Sequence, residues 1–223
     1  MTIDRKTDLI KKPEAAETLN APSGLNIPKR QGLYDPRNEH DACGIGFVAN
    51  IKNIKSHDIV RDGLTILDNL EHRGAVGADP KAGDGVGILI QTPHAFLQKM
   101  AKKEGFDLPD EGHYGVGMIF FPKDADLRAS LETLIHEQVT ASGLSVLGWR
   151  DVPVDSSGLG YSVLPSEPFI RQVFVTDPNG IADQNAFERT LFVARRHIEL
   201  KAKAFGEAAD HFFYIPSFSS YTL

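Results

Sequence analysis

Residues 43–51, CGIGFVANI, are apolar and punctuated by Gly44 and Gly46. That pattern predicts a strand covered on both faces. The run follows the polar stretch Asn38–Asp41 and opens on Cys43, the single cysteine of a 223-residue chain. Upstream, residues 1–42 carry Pro13, Pro22, Pro28 and Pro36 and have no Val, Phe or Trp. They hold too little apolar surface to offset the entropy of ordering them, so they are expected to form an extension outside the fold. The ordered chain is expected to begin at Cys43.

Downstream of that run, strand-like and helix-like segments alternate. Ser56 is a candidate N-cap, after which Ile59, Gly63, Ile66, Leu67 and Leu70 share one helical face and Gly74 is a candidate stop. GVGILIQTP (85–93) reads as a strand and HAFLQKMAKKEG (94–105) as a short helix closed by Gly105. HYGVGMIFFP (113–122) reads as another strand, ended by Pro122. Leu127, Leu131, Leu134, Ile135 and Val139 fall at helical spacing. LSVLGWRDVPV and FIRQVFVTDP read as strands, and Phe187, Leu191, Ala194 and Ile198 mark the longest helix. HFFYIPSFSSYTL, with His211 and Tyr214, reads as a last strand that reaches Leu223 without a turn or cap. The order is roughly β-α-β-α-β-α-β-β-α-β, so the class is α/β or α+β. Periodicity leaves open a parallel doubly wound sheet or an antiparallel sandwich.

Composition narrows the functional classes. The chain is 41% hydrophobic and 24% charged, as in an ordinary globular protein, with a net charge of −6. Lys and Arg form no cluster, which argues against nucleic acid as a partner. No apolar run approaches a membrane span, and Lys11 and Lys12 precede no apolar segment of a secretory signal. One cysteine makes no internal disulfide. The expectation is a soluble, cytoplasmic protein without a membrane partner.

Two readings of Cys43 compete. Cysteine is among the most buried residue types, and a packing role is the ordinary one. Yet Cys43 stands at the edge of its apolar run, and Gly44 and Gly46 leave the adjacent backbone unshielded for a small molecule. A thiol near neutral pH is a few per cent ionised and needs a base to act as nucleophile. An N-terminal α-amine, with a pKa of about 7.7–8.0, is partly free to accept that proton. Removal of residues 1–42 would give Cys43 both thiol and base.

CGIGFVA at Cys43–Ala49, GLTILDNLEHRGAVGAD at Gly63–Asp79 and AGDGVGILIQTPHAF at Ala82–Phe96 occur in that order. Together they resemble the start of the glutaminase domain of glutamate synthase large subunits, which are class II glutamine amidotransferases. The resemblance runs from about Asp35 to the end of the chain. It implies an α+β fold, the N-terminal-nucleophile αββα four-layer sandwich with mainly antiparallel sheets, incomplete here at the C-terminus. It implies that residues 1–42 are a propeptide and that Cys43 attacks the glutamine side-chain amide, giving ammonia, a thioester and then glutamate. An Arg-containing segment that grips the substrate carboxylate and an Asn-Gly pair for the oxyanion hole have no recognised match before Leu223. FMN and an iron–sulphur cluster are expected only in downstream synthase domains of the same polypeptide, and none in residues 43–223. A small reductase subunit is a further expected partner.

Arg73, next to His72 at the end of the first helix, serves the helix dipole or shapes the pocket. Asp84 and Gly85 form a D-G turn that turn chemistry explains, with a pocket-wall role as the alternative. The GVG repeats at Gly85–Gly87 and Gly115–Gly117 lack nucleotide-loop spacing. The eight His residues show no metal-binding spacing, so no metal site is expected. Three functions remain: a glutaminase with Cys43 as nucleophile, a truncated non-catalytic module, or a cysteine hydrolase using His57 or His72 as base. The 223-residue chain by itself is expected to be inactive.

Overall fold

Alternation along GVGMIFF makes β1 (Gly115–Phe121), whose Ile119 and Phe121 point into one core while Val116 points into another. In the computed structural model, residues 44–70, 78–83 and 85–223 are described, and Gly44–Leu223 forms one compact unit. β1 pairs antiparallel with β3 (Phe169–Thr176), with Gly115 opposite Val175 and Phe121 opposite Phe169. β2 (Ser145–Asp151) pairs with β3, and β4 (Tyr214–Ser219) pairs with β1. The order is β2-β3-β1-β4, and every pairing is antiparallel. Among the described residues the parallel alternative is therefore excluded.

Two helices cover one face of this sheet. α3 (Ala125–Ala141) starts at Asp124, whose carboxylate accepts the Leu127 N–H at 2.7 Å. α4 (Gln184–Ala202) starts at Asp183, which accepts the Asn185 N–H at 2.9 Å. These caps satisfy amides that have no partner inside the helix. Leu131, Ile135 and Val139 of α3 join Leu191, Ala194 and Ile198 of α4 over Ile119, Phe121, Val173 and Val175. This is the larger core.

The opposite face is covered only in part. Leu97 and Ala101 of α2 (His94–Lys103) pack on Tyr114, Val116 and Phe174, while Met118, Phe120 and Ile170 stay half-exposed. Arg150 is buried beside them, donates to Gln172 Oε1 at 2.8 Å and lies over the Phe96 ring. The remaining α-helices among the described residues are α1 (His57–Asn69) and the short α5 (Glu207–Phe212).

The structure departs from the sequence reading in three places. Residues 44–50 are irregular and exposed, and so are residues 85–89; only Gln91 makes an isolated bridge, to Thr222. Neither segment has a strand beside it among the described residues, and a strand exists only with a hydrogen-bonded neighbour. His211 belongs to α5, not to the last strand, which opens at Tyr214. The chain end is not mid-strand: β4 stops at Ser219, and Leu223 exchanges backbone bonds of 3.0 and 2.9 Å with Ile90. The extension 1–42 lies outside the described residues.

Candidate active site

α1 organises the region from which the candidate residues come. Its predicted face holds: Ile59, Gly63, Ile66, Leu67 and Leu70 are all half-buried, and no residue of the helix is fully buried. What that face meets is informative. A Cβ on Gly44 would lie 3.0 Å from the Leu70 side chain, and one on Gly46 would lie 2.6 Å from Ile66. A Cβ on Gly63 would lie 3.0 Å from Ile88. The glycines beside Cys43 are thus used for close packing against α1, and the space above them is filled by Leu70 and Ile66. Away from α1, both glycines remain exposed.

Cys43, His72, Arg73 and Asp84 lie outside the described residues. Described residues close to Cys43 and Asp84 in sequence both contact α1. Gly44, next to Cys43, touches Leu70, which precedes the segment holding His72 and Arg73. Ile88, just after Asp84 and Gly85, touches the same helix face at Gly63. Gly85 itself is exposed, with nothing within 4 Å of where a Cβ would stand. His57 opens α1 and is exposed, and among the described residues it has no carboxylate partner to orient it as a base.

The segment after Gly85 is anchored at its far end. The Thr92 N–H donates to Tyr221 O at 2.9 Å, and its hydroxyl donates to Ser220 O at 3.2 Å. Ser220 donates from both its N–H and its hydroxyl to Glu188 Oε1, at 2.5 and 2.6 Å. Beside it, the Tyr114 hydroxyl is hydrogen-bonded to His94 Nδ1 at 3.1 Å, and burial pushes its pKa well above the ordinary tyrosine value. A neutral phenol is therefore the state that this site holds near neutral pH.

One residue escaped the sequence reading. Asp79 is only 6% exposed. Its Oδ2 accepts the Ser162 N–H at 2.9 Å and the Ser162 hydroxyl at 2.7 Å, and its Oδ1 accepts the Lys81 N–H at 3.1 Å. These bonds, first of all the backbone N–H of Ser162, hold its carboxyl below the usual carboxylate range. In the sequence Asp79-Pro80 reads as an ordinary turn, and its partner lies far along the chain, so no local signal marks it.

Other sites are accounted for locally. A cleft lined by Arg128, Glu132, Asp151, Phe169 and Arg171 is closed by ion pairs, with Arg171 bonded to Asp151 at 2.6 Å and to Glu132 at 2.7 Å. The Asn179-Gly180 pair is a turn in which the Gly180 N–H donates to Asp177 O at 3.1 Å, so that amide is not free for an oxyanion. Among the described residues no group of three His, Cys, Asp or Glu is placed to hold a metal ion. No described helix is long and apolar enough to cross a membrane.

Comparison with known proteins adds the remaining finding. The family model for class-II glutamine amidotransferases matches residues 43–223. The chain is 44% identical over 197 residues to the glutamate synthase [NADPH] large chain of Bacillus subtilis, covering 88% of this chain and 13% of that one. It is 42% identical over 175 residues to the glutamate synthase [NADH] of Schizosaccharomyces pombe, covering 76% and 8%. It is 38% identical over 218 residues to the chloroplastic ferredoxin-dependent glutamate synthase of Oryza sativa subsp. japonica, covering 97% and 13%. The chain therefore spans between 8 and 13% of the length of these relatives. With helices layered on an antiparallel sheet and a family match that begins at its single cysteine, the chain belongs to the class-II glutamine amidotransferases.

Proposed function

We propose that the chain is the glutaminase part of a glutamate synthase, with Cys43 as an N-terminal nucleophile freed by loss of residues 1–42. One observation carries the reading: the family match starts at Cys43 itself, after a stretch of unlike composition. In this reading Cys43 Sγ attacks the carboxamide carbon of glutamine while its proton passes to the α-amine of Cys43. The tetrahedral oxyanion collapses, the nitrogen leaves as ammonia with that proton, and a thioester remains. Water adds to the thioester with its proton taken by the same amine, and glutamate is released as the proton returns to sulfur. A donor to the oxyanion is worth about 10²–10³ in rate.

The fold proposed for this chemistry is the four-layer αββα sandwich. Support comes from the half-exposed Met118, Phe120 and Ile170 on the second face of the sheet. Further support comes from exposed apolar side chains at Ile45, Phe47, Val86 and Leu89. A second sheet drawing on residues 43–51 and 85–91 would cover both. Arg73, Asp84 and Gly85 are proposed to shape the pocket. Ammonia would pass to synthase domains of the same polypeptide, which would hold FMN and an iron–sulphur cluster and accept electrons from a small reductase subunit. A single cysteine cannot ligate such a cluster, so this segment holds none. A cytoplasmic location agrees with the absence of an internal disulfide.

The 223-residue chain is proposed to be inactive while Ala42 is joined to Cys43, because a peptide nitrogen has no basic lone pair. A non-catalytic module that lacks the substrate-binding Arg segment and the oxyanion-hole pair is the second reading. Substitution separates the two. In the processed enzyme Cys43→Ala is expected to abolish ammonia release from glutamine and to leave ammonia-dependent glutamate formation intact. Retained glutaminase activity in that variant would remove Cys43 from the mechanism.

A further inference from the structure

We propose that Asp79 is a positioning residue: it pins the strap of residues 78–83 to the β2–β3 connection at Gly160–Ser162. This deepens the glutaminase reading and rests on it for its functional consequence. Asp79 stands between Arg73 and Asp84 in sequence, and the strap contains neither helix nor strand. A segment without ladder bonds is held by what its side chains reach, and here the buried carboxylate of Asp79 reaches three donors.

The partner side is shaped for it. Gly160 is buried, and a Cβ there would stand 2.3 Å from Asp79 Oδ2. Real Cβ atoms do not approach oxygen so closely, so any side chain at 160 would expel the carboxylate. Ser162 presents both its N–H and its hydroxyl to the same oxygen. Among the described residues, Lys81 adds a favourable charge to the carboxylate. The consequence is a fixed shape for residues 78–83, which sets how well glutamine is held rather than how fast bound glutamine reacts.

The experiment compares Asp79→Ala, Asp79→Asn, Ser162→Ala and Gly160→Ala with the unaltered, processed, glutamine-hydrolysing enzyme. Hydrogen exchange at the Lys81, Ala82 and Ser162 amides is expected to rise about tenfold or more in Asp79→Ala and Gly160→Ala, with β1 unchanged. The KM for glutamine is expected to rise about tenfold while kcat changes less than about threefold. Asp79→Asn and Ser162→Ala, which keep part of the contact, are expected to fall between. Alkylation of Cys43 by iodoacetamide, which needs no glutamine pocket, is expected to keep its rate. Unchanged exchange in Asp79→Ala would overturn the pin. Equal losses in kcat and in the melting temperature would overturn positioning and indicate general destabilisation. If the unaltered enzyme released no ammonia from glutamine, the functional reading would fall, and the exchange arm would still decide the pin.

Discussion

Gly46 meets Ile66 at a separation that leaves no room for a methyl group, since a Cβ would come within 2.6 Å of it. Gly46→Ala is therefore expected to displace the exposed 44–50 segment from α1 and to destabilise the unit by less than about 1 kcal/mol. Ile66→Ala, which removes the Cγ2 methyl that the new Cβ would meet, should recover part of the loss, as a melting-temperature cycle would read. Asp79 makes a second prediction at this scale. Its folded pKa lies below its unfolded value of about 3.9. The stability it contributes is present above about pH 4 and is lost as pH falls through the folded value. In Asp79→Asn the acid side of the stability curve is expected to be shallower; an identical curve would show that the carboxylate is not linked to folding. Residues of this kind are the least legible in sequence. Cys43 stood out by its position, while Asp79 showed nothing, because its role depends on Ser162 in a distant loop.

Helices with one strong apolar stripe were readable, because a stripe needs only local spacing. α3 and α4 fall where Leu131, Ile135, Leu191 and Ile198 place them, and all four side chains are buried. α1 has an equally regular stripe but buries none of it fully. Leu131→Ala is expected to cost about 2–5 kcal/mol. Ile66→Ala is expected to cost about 1–2 kcal/mol, because that side chain is already partly exposed. Equal losses measured by denaturant titration would contradict the burial seen at α1. α5 went unread since its six residues run into the aromatic sequence HFFY, which has strand character. The runs at 43–51 and 85–93 read as strands for a complementary reason. Periodicity reports which environment suits the side chains, but pairing requires a neighbour: none lies beside residues 44–50 or 85–89 among the described residues, and residues 90–92 pair only with residues 221–223.

At the scale of the whole molecule, the sheet is well covered on the α3/α4 side and thinly covered on the other. Hydrogen exchange should reproduce that division. In the 223-residue chain, amides of β1, central in the sheet, are expected to be the slowest, and those of residues 44–49 and 85–89 to exchange without protection. Protection in those two segments would mean that partner strands form beside them. The class of fold was legible from the order of motifs, whereas the arrangement β2-β3-β1-β4 was not, because strand order depends on contacts between distant segments. The central claim, that Cys43 acts with its own α-amine as base, concerns the covalent state of the chain. Intact-mass measurement of the form that hydrolyses glutamine tests it most directly. A polypeptide that begins at Cys43 and lacks residues 1–42 is expected; robust, Cys43-dependent turnover by a chain still carrying Met1–Ala42 would rule out the α-amine as base.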